Sequence, residues 1–171
     1  MQSLNLNLGC GDDFRASTNE ERWINIDATK RQCPLSMCYI QHDIRERLPF
    51  EMNTIDFIYA CHIVEHFTKF EWAKIKKDWY RVLKGGGILE VRCPDLEIAC
   101  KKFLTEEHKF HGVVSVHDMI FGSQDVSWQM HHQGFDKPRI KKELEDEGFT
   151  TLECYNTPPM NDWQLVIRVK K

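Results

Sequence analysis

Leucines at 4, 6 and 8 alternate with asparagines at 5 and 7 and run straight into Gly9-Cys10-Gly11-Asp12-Asp13. Alternation at period two predicts a strand. The glycines let the backbone turn sharply and lie close to a ligand with no side chain between. Trp23-Ile24-Asn25-Ile26-Asp27 predicts a second strand and Tyr39-Ile40-Gln41-His42-Asp43 a third, each ending on an aspartate. Between the first two, the polar stretch Phe14 to Arg22 has room only for a brief helix. Residues 54–61 (TIDFIYAC) are apolar on both faces, as expected in the middle of a parallel sheet.

The period then changes. Thr68 and Glu71 form a T-x-x-E capping box, with Phe67 and Trp72 spaced as a hydrophobic staple. Trp72, Ile75, Trp79 and Val82 follow at helical spacing and predict a core-facing stripe. Lys84-Gly85-Gly86-Gly87 predicts the end of this helix, and 88–93 (ILEVRC) a fifth strand. Pro94 is expected to open a further helix with Leu96, Ala99, Cys100 and Phe103 on one face. Residues 105–135 break the rhythm. They hold His108, His111, His117, His131 and His132 together with Met119, Phe121, Trp128 and Met130. They read as an insertion with one short helix, a lid or substrate loop. Asp136 and Pro138 predict a helix start, and Gly148 its end. Two last strands, 149–156 and 164–169, are joined by a loop too short for a helix, so they should pair antiparallel. The expectation is one domain over residues 1–171: a three-layer α/β/α fold on a seven-stranded, mostly parallel sheet whose last strand runs antiparallel.

Charge and cysteine content narrow the partners. The formal net charge of -3 argues against a nucleic-acid backbone as main partner, although Lys137, Arg139, Lys141 and Lys142 make a local basic patch. Seven cysteines, an odd number with no C-x-x-C pair, fit a reducing, cytoplasmic compartment. No apolar run approaches transmembrane length, and no signal peptide is evident, so no membrane partner is expected.

The first three strand ends carry the candidate chemistry. In a parallel sheet they open onto one crevice. Asp27 lies 16 residues after Gly11 (27 − 11), near the spacing at which an acidic residue accepts bonds from ribose hydroxyls. Asp43 can meet an adenine amino group. Aspartates also cap turns, but two of them in phase with a glycine turn make coincidence a weak account. The turn is an incomplete G-x-G-x-x-G, with Phe14 where the third glycine would stand. Asp12 and Asp13 would repel a pyrophosphate. A cofactor without phosphates and with a cationic centre suits the turn better, with Asp12 or Asp13 facing its ammonium. S-adenosyl-L-methionine has these properties.

These residues resemble the class I S-adenosylmethionine-dependent methyltransferases over nearly the whole chain. LNLGCG is similar to the first motif, with Asn7 where many members have Asp or Glu. The resemblance implies a Rossmann-like methyltransferase fold with Leu8, Gly9, Cys10 and Gly11 along the cofactor. WINID, with Ala28 after it, implies a ribose site at Asp27. QHDI implies His42, Asp43 and Ile44 around the adenine. IDFIYACHIVEHF is similar to the fourth-strand motif and implies Ala60, Cys61 and His62 beside the cofactor. LKGGGILEVRCPD resembles the turn and fifth strand. More narrowly, FGSQ (121–124) with H-x-x-G-F-D (131–136) is similar to small methyltransferases found among sugar and surface-polysaccharide genes. That implies a small-molecule or saccharide acceptor. The family's N-terminal substrate-binding helix is missing and the first helix is short. The site is therefore expected to be open, or completed by a partner or by a second copy in a homodimer.

Methyl transfer to oxygen or nitrogen often needs a group to take a proton, and histidine's pKa suits that task. His131 is the candidate, with His66 bordering the acceptor. Phe121, Trp128 and Phe135 could wall the pocket. His62-Ile63-Val64-Glu65-His66 also matches H-x-x-E-H, a zinc-peptidase pattern that needs a helix. Here it begins at the end of a buried strand, so no metal is expected, although His131 or His132 would supply a third ligand. Two other readings stand beside methyl transfer. A nicotinamide oxidoreductase is disfavoured by the missing third glycine. A catalytically inactive, methyltransferase-like cofactor-binding or scaffold protein is kept open by the short first helix and the missing N-terminal helix.

Overall fold

The structure is a computed structural model, described here for residues 2–105, 115–157 and 163–171. Its centre is one sheet of seven strands: β1 (Ser3–Leu8), β2 (Glu21–Asp27), β3 (Cys38–Gln41), β4 (Ile55–Cys61), β5 (Leu83–Pro94), β6 (Thr150–Asn156) and β7 (Gln164–Lys170). Their order is β3-β2-β1-β4-β5-β7-β6. The first five run parallel, and β7 is antiparallel to both β5 and β6, as the sequence predicts. Leu8 pairs with Ile26 on one side and Ala60 on the other. That register brings the Gly9 turn level with the ends of β2 and β4. It is the point where strand order reverses, the usual ligand crevice of open α/β sheets.

The two sheet faces are built differently. Leu6, Leu8, Ile24, Ile26, Ile58, Ala60, Leu89, Val91 and Ile167 are buried on one face. Against them pack α1 (Lys69–Val82) and α4 (Lys137–Glu145) through Trp72, Ile75, Trp79, Ile140 and Leu144. Trp72 meets the Trp79 and Phe135 rings edge-on at 5.5 and 6.0 Å. The capping box is present, Thr68 Oγ1 accepting from Glu71 N while Glu71 accepts from Thr68 N.

The opposite face presents Asn5, Asn7, Trp23, Asn25, Tyr59, Glu90 and Arg92, so the asparagines of β1 are buried rather than solvated. The brief helix expected between β1 and β2 does not form. Residues 12–17 instead run as an irregular strap tied by two asparagines. Asn7 Nδ2 donates to Asp13 O (2.7 Å). Asn25 Oδ1 accepts from Arg15 N (2.8 Å), and its Nδ2 donates to Arg15 O (3.0 Å). Arg15 then lies over the Tyr59 ring at 3.7 Å. The side-chain amides satisfy backbone groups that a helix would have satisfied itself. Over β1 and β2 this strap stands where the expected second helical layer would lie. Asn25→Ala is expected to cost about 2–3 kcal/mol, since it orphans several buried groups at once. Urea denaturation checks this, and an unchanged midpoint would mean the strap holds without the asparagine.

The three glycines after α1 do not cap it. The helix ends at Val82 and β5 begins at once with Leu83. Pairing with β4 shifts register between Leu83 and Ile88. A Cβ at Gly87 would lie 3.0 Å from the Lys84 carbonyl and 3.2 Å from that of Asp56, so glycine permits the bulge there. Pro94 ends β5 rather than opening a helix, and Asp95 caps α2 (Leu96–Leu104). Within the insertion, α3 (Val116–Phe121) packs on α2 through Ala99, Val116 and Met119, and Ser127–Gln129 forms a single 3-10 turn. Residues 106–114, with His108 and His111, and 158–162, most of the last loop, lie outside the described residues. Among the described residues, no helix is long and apolar enough to cross a membrane.

Candidate active site

The glycine turn is closed by the acid at the end of β2. Gly9 and Gly11 have φ of 63° and 52°, left-handed values that a side chain would strain. A Cβ on Gly9 would meet Ile63 Cγ1 at 2.7 Å, whereas one on Gly11 would stand in open space. Gly11 N donates to Asp27 Oδ2 (2.9 Å), and Cys10 N to Ile26 O (3.0 Å). Asp27 Oδ1 accepts from Thr29 N (2.9 Å) and Thr29 Oγ1 (2.6 Å). Burial pushes the Asp27 carboxyl upward, but the Thr29 and Gly11 hydrogen bonds and the Arg31 charge outweigh it and hold it below the ordinary carboxylate value. An ionised carboxylate offers about four acceptor positions. Three are used, which leaves Oδ2 able to accept from a hydroxyl. Burial, reinforced by Asp27, raises the Cys10 thiol to about 12, so it stays protonated and inert.

Arg31 spans Asp27 (3.5 Å) and Asp12 (3.6 Å). Asp12, expected to face a ligand ammonium, is therefore paired within the protein. His42 follows β3, its amide bonded to Asp27 O (2.9 Å) and its Nε2 buried without a partner. Asp43 is held by Arg45 in a bidentate pair of 3.0 and 2.7 Å, and those hydrogen bonds lower its carboxyl. Ile44 and Leu8 are buried in the core, and Ala28 O accepts from Gln41 Nε2 (3.1 Å). Ala60 and Cys61 close β4 beside this turn, and burial raises the Cys61 thiol. A side-chain-free position facing open space, a spare carboxylate lone pair and an orphaned imidazole nitrogen fit an adenosine-bearing cofactor.

Beyond β4 the chain bends sharply at His62, whose φ of 51° is unusual for a side chain of this size. Its amide donates to Arg92 O (2.8 Å). Gln164 Nε2 donates to His62 Nε2 (2.7 Å), which leaves the proton on Nδ1, 3.3 Å from Glu65 Oε1. Val64–His66 is one 3-10 turn, not the helix that a zinc-peptidase reading of H-x-x-E-H needs. Glu65 is 2 % exposed. Burial pushes its carboxyl up, yet the His62 hydrogen bond and the nearby histidines leave it lowered. Next to it, His66 Nδ1 lies 3.1 Å from Met130 O, and His131 Nδ1 lies 3.0 Å from Met119 O. The two rings stand edge-on at 4.9 Å, and burial lowers the His131 pKa. A cavity of about 440 Å³ opens here, lined by His62, Glu65, His66, Met119, His131 and Trp163 among others.

At one end of the crevice the structure joins Gly9, Cys10 and Gly11 to Asp27, with Ala28 after it and the His42 amide on Asp27 O; Asp43, held by Arg45, and Ile44 follow, and Ile44 and Leu8 lie in the core. His66 and His131 sit at the other, reached through Ala60, Cys61 and His62. Ile63, packed on Gly9, links the two ends. Phe135 does not wall the cavity. It is fully buried against Trp72, because Gly134 lets the chain pass Leu96 and Asp136 turns it into α4. Phe121 and Trp128 are exposed and do not line the cavity. Sequence reasoning missed Gln164, Trp163 and Met119, which are brought in by strand pairing and loop packing and carry no local motif.

Residues 6–91 match the methyltransferase domain family, just over half of the chain. No curated protein matches it in sequence. Among solved structures it resembles the 1,6-didemethyltoxoflavin-N1-methyltransferase of Burkholderia thailandensis, determined with 1,6-didemethyltoxoflavin and S-adenosylhomocysteine (TM-score 0.68, 13% identity, 99% of this chain and 71% of that one). It also resembles a SAM-dependent methyltransferase of Archaeoglobus fulgidus (0.67, 14%, 99% and 86%). A third is a putative methyltransferase of Haloferax volcanii in complex with the activator Trm112 (0.63, 12%, 98% and 82%). The sheet order, the glycine turn closed by Asp27 and this match over residues 6–91 agree: the chain belongs to the methyltransferase domain family and has the S-adenosylmethionine-dependent methyltransferase fold.

Proposed function

We propose that the protein is an active methyltransferase that moves a methyl group from S-adenosyl-L-methionine, the cofactor of its family, to a small-molecule or saccharide acceptor. The observation that carries this reading is the histidine-lined cavity that opens after β4, with Ile63, between its lining residues His62 and Glu65, packed on Gly9. When bound, the cofactor supplies a methyl group on a sulfonium, already a good leaving group. The chain's own tasks are then to hold, orient and exclude water. Gly9, Gly11, Asp27, His42, Asp43 and the 60–62 segment hold the adenosine and methionine parts. His66 and His131 serve the acceptor end: with Nδ1 of each ring held by a backbone carbonyl, Nε2 keeps its lone pair for the chemistry of the acceptor. Within the 105–135 insertion Met119, Ser123 and His131 line the acceptor cavity, and the insertion gates it. The chain works as one domain in a reducing cytoplasm, where its seven free cysteines remain thiols. A second copy or a partner covers the open side of the site.

The inactive, scaffold-like reading is favoured by one observation, the Arg31 guanidinium over Asp27. Thermal shift separates the two. Stabilisation by S-adenosylmethionine and S-adenosylhomocysteine, with none from NAD, supports the enzyme. Absence of any shift from either supports the scaffold. His131→Ala is expected to lower turnover roughly 10²-fold, the lower range for losing a positioned proton-handling group. Cofactor affinity in calorimetry should stay nearly unchanged. Normal turnover of this variant would reduce His131 to a loop residue.

A further inference from the structure

We propose that Glu65, His66 and His131 bind a divalent metal ion of the zinc class at the acceptor end of the cavity, and that the methyl acceptor atom there is an oxygen. One carboxylate oxygen and one ring nitrogen of each histidine lie within 4.8 Å of one another. Ligands about 2.0–2.2 Å from a zinc ion stand roughly 3–3.5 Å apart. Side-chain rotations closing the widest separation by roughly 1.3–1.8 Å would complete the set.

Three independent features point to an ion rather than to a chance cluster. Glu65 is 2 % exposed and its Oε2 is buried with no hydrogen-bond partner, an expensive arrangement for a carboxylate without a cation. Both histidine rings have Nδ1 within hydrogen-bond distance of a backbone carbonyl, Met130 O and Met119 O. That pairing fixes the proton on Nδ1 and leaves the lone pair on Nε2, the usual outer-shell arrangement of metal-binding histidines. His62 in turn supports the Glu65 carboxylate from Nδ1, and is itself held by Gln164. Its strained backbone delivers that support. Two imidazoles and one carboxylate favour a first-row transition ion over magnesium or calcium, which prefer oxygen donors throughout. Three protein ligands leave a coordination position open, as in catalytic rather than structural zinc sites.

The consequence for the acceptor rests on the methyl-transfer reading; the ion site does not. An ion with an open position beside the cavity would bind a hydroxyl oxygen and lower its pKa, so that its proton passes to solvent and the oxygen takes the methyl carbon as the carbon–sulfur bond of the sulfonium breaks and S-adenosylhomocysteine leaves. The histidines then act through the ion rather than as free bases.

The test starts from the metal-stripped protein titrated with Co²⁺, followed by visible absorption, and with Zn²⁺, followed by calorimetry. One equivalent is expected to bind with the absorption of a nitrogen- and oxygen-ligated ion, and Mg²⁺ should not compete. His66→Ala and His131→Ala, both at partly exposed positions, should each weaken binding by at least roughly 10–100-fold, the size found even for loss of outer-shell partners. Glu65→Gln should do the same, with the histidine variants carrying the test if it does not fold. Unchanged Co²⁺ binding in both histidine variants, or absorption dominated by sulfur ligation, would assign the ion to the cysteines and overturn the site. S-adenosylhomocysteine affinity, measured on stripped and loaded protein, is expected to be equal. If the ion binds but the cofactor does not, the methyl-transfer reading fails and the ion site stands. If the loaded protein methylates nitrogen or carbon acceptors and no hydroxyl, the oxygen assignment fails.

Discussion

Asp27→Ala is expected to weaken S-adenosyl-L-methionine binding by about 1–3 kcal/mol, the scale of charge-assisted hydrogen bonds. That is roughly 5–150-fold in dissociation constant. The same carboxylate has two duties. Toward the protein it accepts from Gly11 N and from Thr29, and so closes the glycine turn. Toward the ligand it keeps one acceptor position on Oδ2. Asp27→Asn separates them, because its remaining carbonyl oxygen can satisfy part of the turn while the charge is gone. Calorimetry should therefore rank wild type, Asn and Ala in that order, with circular dichroism unchanged. Equal dissociation constants for all three would remove Asp27 from the cofactor site. The pH dependence has a definite sign. The folded-state pKa of Asp27 is depressed, so its contribution to stability is complete above the ordinary carboxylate pKa of about 3.9. It is lost as the pH falls through the lower folded value. Cofactor affinity should accordingly stay flat, as far as Asp27 is concerned, from neutrality down to that range.

Much of the frame was legible because its signals are local. The capping box at Thr68 and Glu71, the apolar stripe of α1 and the Asp136 cap each need only a few residues of context, and each is present. The antiparallel last pair followed from loop length alone. What failed to read correctly depends on what lies across the sheet. The polar stretch Phe14 to Arg22 reads as a brief helix, yet it forms a strap tied by Asn7 and Asn25, and Asn5 and Asn7 are buried beneath it. Gly85 to Gly87 look like a helix stop, yet they serve a bulge against Asp56. The site divides the same way. The glycine turn and Asp27 announce themselves by spacing. The Glu65, His66 and His131 cluster joins residues 65 apart (131 − 66), and only the fold brings them together. Phe135 shows the reverse error: an aromatic residue in a motif reads as a pocket wall, but it fills the core beneath the motif.

Gly122→Ala is expected to abolish most turnover while leaving the sheet folded. Gly122 has φ 78° and ψ 166°, a region that in practice only glycine occupies, and forcing a side chain there costs of order 1–3 kcal/mol. Sterics are the larger obstacle. An alanine Cβ would lie 1.8 Å from the Gln129 carbonyl oxygen and 2.9 Å from its carbon, both backbone atoms, so the 122–129 loop must be rebuilt. His131 depends on that loop twice. Its amide donates to Phe121 O (3.1 Å) and its ring is bonded to Met119 O (3.0 Å), both carbonyls of α3 just before Gly122. Moving the turn therefore moves the ring away from Glu65 and His66. The core that carries the sheet is a separate cluster from the one holding Val116 and Met119, so the main unfolding transition should persist. Cofactor affinity should change little, because Gly9, Gly11 and Asp27 lie at the other end of the crevice. Turnover should fall at least as far as in His131→Ala, and Co²⁺ binding should weaken with it. A Gly122→Ala protein with normal turnover and normal Co²⁺ binding would show that the loop does not position His131.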